Sequence, residues 1–306
     1  MGLFMHFAFT QFAKTTVKMN TKRITQQTPP QGVSAERDIP YLNDGNRDHM
    51  LDIFYPAGTT APLPVIFDVH GGGGIIGNKE VNEYFCMSLA KRGFTVVDIN
   101  YRLMPGSRLQ EQIQDVFAAL HWVYQNGGSH YCQTNCICIT GDSAGGLLVG
   151  LAGAINNDDD LAALYGVERV PMPIAAVALN HGLIDPKVGV WRLKAMNAEF
   201  ERFVYGKKPR QNPVYHKSSL TATAVKGKMP PILVITSKAD SLLDKYVNEY
   251  VEFLQQNHFE YEVAMPDENE PILEKLGHVF NVGNPEWEAS VKMNDRMADF
   301  FKRHKL

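Results

Sequence analysis

Short apolar runs punctuate the chain, and between them apolar positions recur every three or four residues. The runs lie at residues 64–69 (PVIFDV), 95–99 (TVVDI), 136–140 (CICIT), 174–179, 232–236 and 259–265. Their length, their β-branched residues and the turn residues that flank them predict strands, most of them buried on both faces. Helical spacing covers residues 82–92, 109–124, 242–255 and 285–304. In the second of these, Ile113, Val116, Phe117, Leu120 and Val123 share one face. A small-residue helix carrying Leu147, Leu148, Leu151 and Ala152 is predicted directly after the CICIT run. Alternating strand and helix predict an α/β class: a mostly parallel central sheet with helices on both faces. Such a sheet keeps its reactive loops at the carboxyl ends of the strands.

Two segments stand outside the alternation. Residues 180–228 carry Trp191, Phe200, Phe203 and Tyr205 but no strand pattern. A connection of that length in a compact domain is usually functional, so residues 181–228 are expected to form a small helical cap inserted in a main domain at 51–306. A surface insertion without catalytic consequence is the alternative. Residues 1–50 form an N-terminal segment that joins the cap in this reading. Residues 1–12 are apolar and aromatic, without a basic flank or a small-residue cleavage site, so no signal peptide is expected. They are too short to span a membrane. Gly2 invites a myristoylation reading, which His6 breaks where Ser or Thr is wanted. The segment is expected to pack on the body or cover a pocket.

Composition narrows the classes further. With 306 residues, 44% hydrophobic and 21% charged, the chain is an ordinary globular protein with a sizeable core. A net charge of −3 provides no basic field for nucleic acid or an anionic membrane. Cys132, Cys136 and Cys138 cluster, but C-x3-C-x-C matches no common zinc spacing, and Cys86 stands alone. Free buried thiols in a reducing cytoplasm are expected, with a local Cys132–Cys136 disulfide as the alternative.

The chemistry gathers in the loops after strands. Gly141-Asp142-Ser143-Ala144-Gly145 follows the CICIT strand and opens a helix. A serine on so sharp a turn needs tiny residues two before and two after it, and the turn exposes its hydroxyl. Ser143 is the candidate nucleophile. His70-Gly71-Gly72-Gly73-Gly74 follows the strand at 64–69. Bare backbone N–H groups hold an oxyanion well, which makes the amides of Gly72, Gly73 and Ala144 the candidate oxyanion hole, with His70 as an anchor. A flexible turn or a phosphate cradle are the other readings of such a run; the Lys-Ser/Thr ending of a phosphate loop is missing. A serine needs a base and the base an orienting carboxylate, in the order Ser, acid, His in this architecture. Asp240, just past the strand at 232–236, is the candidate acid; Asp244 falls a turn into the next helix, where it suits the helix N-terminus. His278 precedes the last helix and is the candidate base, whereas His181 and His216 fall in the expected cap, before the acid.

On these residues the sequence resembles the hormone-sensitive-lipase-like esterases of the α/β-hydrolase superfamily. The matching stretches are His70-Gly71-Gly72-Gly73, Gly141-Asp142-Ser143-Ala144-Gly145-Gly146, Asp240-Ser241-Leu242-Leu243-Asp244 and Gly277-His278. VVDINYRL at 96–103, Asp115 and Trp122 are similar to further landmarks. The resemblance implies an α/β-hydrolase fold, hydrolysis of short-chain carboxylic esters by a serine carboxylesterase without a cofactor, and a cap shaping the pocket. A small ester is then the partner. Relatives that pair, some through the edge of the last strand, make a homodimer the expected assembly. Amidase, peptidase or arylformamidase chemistry on the same scaffold is the nearest alternative, followed by removal of acetyl or feruloyl groups. A binding protein that has lost activity is disfavoured by the full set of motifs. Three departures bear on substrate range. Gly74 stands where an aromatic is common, implying a roomier or more mobile pocket on that side. Met104-Pro105-Gly106 lacks the usual glutamate, implying a different support for its loop. An acidic stretch (Asp267, Glu268, Glu270, Glu274) lies before His278, either bordering the site or on the surface.

Overall fold

The computed structural model describes residues 3–188 and 194–304, without the side chains of residues 3–10 and 12. The side chains of Phe4, Phe7, Phe9 and Phe12, the Gly2 and His6 reading, and Trp191 therefore lie outside the described residues. Among the described residues, eight strands form one sheet: β1 (Val33–Pro40), β2 (Met50–Pro56), β3 (Val65–Val69), β4 (Thr95–Ile99), β5 (Ile137–Asp142), β6 (Ile174–Asn180), β7 (Ile232–Ile235) and β8 (Tyr261–Ala264). Their order is β1-β2-β4-β3-β5-β6-β7-β8. From β4 to β8 every pairing is parallel, whereas β1 and β2 run antiparallel at one edge. The helices are α1 (Leu3–Thr25), α2 (Glu83–Ala90), α3 (Leu109–Asn126), α4 (Ala144–Ile155), α5 (Asp159–Tyr165), α6 (Lys194–Tyr205), α7 (Leu220–Thr223), α8 (Asp244–Gln256), α9 (Phe280–Gly283) and α10 (Glu288–His304).

Strand pleating divides the core. Phe67, Val97, Ile139, Val177 and Val234 face one apolar layer, packed with α3, α4 and α8. Ile66, Val96, Cys138, Ala178 and Leu233 face the other, packed with α2 and α10. Both layers are closed to water, which is why these strands read as continuous apolar runs rather than alternating ones.

The mostly parallel sheet and the strands from β3 onward match the residue pattern within a few residues. The pattern misses β1, β2 and α5, and α1 continues well past residue 12. One placement needs correcting. His181 does not belong to a cap. It follows β6 directly, and its amide donates to Ile235 O at 2.8 Å, extending the β6–β7 ladder by one rung. All four cysteines are free and buried, so the Cys132–Cys136 disulfide is absent.

Candidate active site

The serine turn is built from backbone. β5 delivers the chain to Ser143, whose φ of 51° and ψ of −115° lie outside the regions an L residue ordinarily occupies, and α4 begins at the next residue. Strain of this kind persists only where the surroundings over-determine it. Here Ser143 N donates to Asn180 O (2.9 Å) and Leu183 N donates to Ser143 O (2.7 Å). A Cβ on Gly145 would lie 1.9 Å from Val69 O, and one on Gly141 would lie 2.5 Å from the Gly145 carbonyl. The glycines are thus required by the closeness of strand and helix.

The glycine loop is held from below. Gly71 N donates to Asp142 Oδ1 (2.8 Å), and Asn82 Nδ2 donates to the same oxygen (2.8 Å) and to Asp68 Oδ2 (2.8 Å). His70 is buried, stacks on Tyr101 at 4.4 Å, and donates from Nδ1 to Gly71 O at 2.8 Å. Burial lowers its pKa, so it stays neutral and serves as an anchor of the loop. Gly72 and Gly73 adopt φ of 102° and 67°. Among the described hydrogen bonds, none uses the amides of Gly72, Gly73 or Ala144. The space beside Gly74 is not open, contrary to the expectation of a roomier pocket: a Cβ there would lie 2.8 Å from Met104 Cε and 3.1 Å from Gln112 Oε1. Gln112 also supports the loop that lacks the glutamate. Its Nε2 donates to Gly74 O (2.9 Å) and Arg102 O (3.0 Å).

Side chains meet on the opposite wall. Asp240 is buried after β7, and its Oδ1 accepts from Leu242 N (3.0 Å) and Leu243 N (3.2 Å). Its Oδ2 accepts from His278 Nδ1 at 2.9 Å. It also accepts from His181 Nδ1 at 2.8 Å. Burial alone would raise the pKa of this carboxyl, but the hydrogen bonds from His181 and His278 outweigh it and hold the group well below the usual range. The chain-order argument set His181 aside; nothing in the local sequence marks it. Asp244 is the first residue of α8 and not a turn into it, so it still stands at the helix N-terminus. In the acidic stretch, Glu268 pairs with Lys238 and Glu270 with Lys292 (2.7 Å), so these two turn to other surface groups.

Ser143, His278, Gly72 and Gly73 line one cavity of about 440 Å³. Ile76, Leu183, Phe200, Leu242 and Val282 make much of it apolar. Ala144 lines a small crevice beside it, which shares Gly73, Leu183 and Phe200 with the cavity. Thr16, Asn20 and Arg23 of α1 complete the wall, a spacing that puts them on one helix face. Arg23 donates to Gly283 O and, at 3.2 Å, to Val81 O, and Gln27 Nε2 donates to Gly283 O at 2.6 Å.

Among the described residues, two groups of side chains have metal-ligand types within reach of one another, His181/Asp240/His278 and Asp68/Cys86/Asp98. The first is already joined by hydrogen bonds. The second is fully buried beneath the glycine loop. Burial, helped by Asp142, pushes Asp68 up to about 8; burial and Asp68 raise Asp98; burial and both carboxyls raise Cys86. Metal binding needs deprotonated ligands, and this environment favours the protonated ones. Among the described residues no helix is long and apolar enough to cross a membrane.

Comparison with known proteins agrees with this geometry. Esterase B from Lactobacillus rhamnosis (HN001) superposes with a TM-score of 0.90 at 28% identity, over 98% of this chain and 94% of that one. The same enzyme inhibited by a C4-C4 tributyrin phosphonate gives 0.91 at 28%, over 99% and 96%. The fold is thus that of the α/β-hydrolase esterases. Esterase LipQ of Mycobacterium tuberculosis is 31% identical over 67% of this chain and 49% of its own length. The chain spans about half the length of the first curated relatives it matches. The sequence model of the BD-FAE family matches residues 51–262, and on that match the chain belongs to the BD-FAE family.

Proposed function

We propose that this protein is a serine carboxylesterase that hydrolyses short-chain carboxylic esters through an acyl-enzyme. The observation that carries the reading is the convergence of Ser143, the His278–Asp240 pair and the glycine amides on one largely apolar cavity. The esterase names of the structural and sequence relatives support it. In the cycle, His278 takes the Ser143 proton as the hydroxyl attacks the ester carbonyl. Asp240 fixes the imidazole with its proton on Nδ1 and stabilises the charge that forms. The amides of Gly72, Gly73 and Ala144 receive the oxyanion. His278 protonates the leaving alcohol, and water then repeats the sequence on the acyl-enzyme.

Residues 51–306 form the hydrolase domain in this reading. The insertion expected at residues 181–228 supplies a cap beyond His181, and α1 joins it, a role favoured by Phe200, Thr16, Asn20 and Arg23 in the cavity wall. The four free buried thiols favour a cytoplasmic setting. β8 lies at the edge of the sheet, and a homodimer would pair there. The test is hydrolysis of p-nitrophenyl acetate, butyrate and octanoate by the wild type and Ser143→Ala, with fluorophosphonate labelling alongside. Activity on the short esters should fall by at least about a thousandfold in the variant, together with the label. Turnover of a matching anilide in preference to the esters would move the assignment to an amidase, and equal activity in the variant would end it.

A further inference from the structure

We propose that His181 is a positioning residue of the triad, holding the Asp240 carboxylate in the plane that aims His278 at Ser143. The inference rests on the triad reading above. The chain places His181 deliberately: its φ is 48°, a left-handed backbone that a non-glycine residue adopts at a cost. The bond from His181 N to Ile235 O fixes that conformation. The ring is fully buried, with edge contacts to Phe280 at 5.6 Å and to His278 at 5.7 Å.

Asp240 therefore receives four N–H groups: two backbone amides on Oδ1 and two imidazoles on Oδ2. An ionised carboxylate only accepts, and about four donors fill its capacity. Both rings must then carry a proton on Nδ1. Burial disfavours a charged His181, despite its bond to Asp240, and the nearby His278 acts in the same direction. His181 Nε2 is buried and has no hydrogen-bond partner among the described residues. The residue thus works as a fixed neutral donor and not as a second base. The ionisable groups facing it are Asp240 from the loop after β7, His278 from the loop before α9, and Asp142 at the end of β5.

A neutral donor on Oδ2 has two consequences. It removes the rotation by which the carboxylate could turn away from His278. It also takes up the remaining lone pair of the oxygen that His278 uses, so that oxygen cannot turn to another donor. Removing the donor should misplace the base.

The experiment compares wild type, Ser143→Ala, His181→Leu and His181→Asn on p-nitrophenyl butyrate across about pH 5 to 9. Wild-type activity that survives Ser143→Ala defeats the esterase reading itself, whatever His181 does. With Ser143-dependent activity established, His181→Leu should lower kcat by about 10–100-fold with KM within about twofold, as loss of an outer hydrogen-bond partner typically does. His181→Asn retains an N–H and should recover to within about threefold. Wild-type kcat in His181→Leu overturns the proposal, as does equal impairment of Leu and Asn. Proton NMR keeps the test independent of folding in the leucine variant. The wild type should show two downfield imidazole N–H resonances that both shift in Asp240→Asn; movement of only one overturns the shared carboxylate.

Discussion

The two walls of the cavity are built differently. The wall that carries the glycine loop is backbone: glycine amides, a strained serine, and a strand and helix so close that Gly145 cannot bear a Cβ. The facing wall is side chain: three groups on loops after different strands, joined through one carboxylate. The first is fixed by sterics and so is written in the sequence as glycine spacing. The second is fixed by hydrogen bonds between distant residues, and only its order along the chain is written there.

The largest effect should come from the side-chain wall. Asp240→Asn should keep the fold and lower kcat by about 10⁴, because an amide cannot hold both imidazoles as Nδ1–H donors. Kinetics with circular dichroism as a control would check this, and a loss below tenfold would place the orienting function elsewhere. The backbone wall should break by unfolding instead. Gly145→Ala, with its Cβ 1.9 Å from Val69 O, should cost several kcal/mol, at least about 3, or prevent folding. Gly73→Ala meets no atom within 4 Å and has only its φ of 67° against it, so about 1 kcal/mol is expected. Thermal melts of the pair would expose the contrast, and equal melting temperatures would refute the steric account.

The remaining effect is graded with pH and lies beneath the backbone wall. Asp68 has a folded pKa near 8, raised by burial from an ordinary value of 3.8. The folded state therefore holds a proton that the unfolded state releases. Stability from this group is full below about pH 4 and is lost as pH rises to about 8, at up to about 1.4 kcal/mol per pH unit. Asp68→Asn should flatten that slope and stabilise the protein at pH 8. Melting temperatures from pH 5 to 8 that fall equally in both proteins would assign the slope to other groups.

Much of the fold was legible because strands buried on both faces leave apolar runs. β1, with the sequence VSAERDIP, is a partly exposed edge strand with charged residues, and its pairing partner lies on the next strand, so no run announces it. α1 was legible only as far as its apolar start; the face that reaches the cavity is its polar one, and polar residues at helical spacing do not declare what they touch. Ser143, Asp240 and His278 could be named as candidates because steric need and chain order constrain them. His181 obeys neither constraint. It is placed by the β6–β7 pairing, a long-range fact that no local pattern carries.

The bond from Arg23 to Gly283 joins residues 260 positions apart. During synthesis, at about 5–20 residues per second, α1 leaves the ribosome tens of seconds before the loop it fastens to exists. For that interval Arg23 and Gln27 lack the carbonyl to which both donate in the folded chain. The docking of α1 on the cavity wall can therefore be completed only after the last loop has been made.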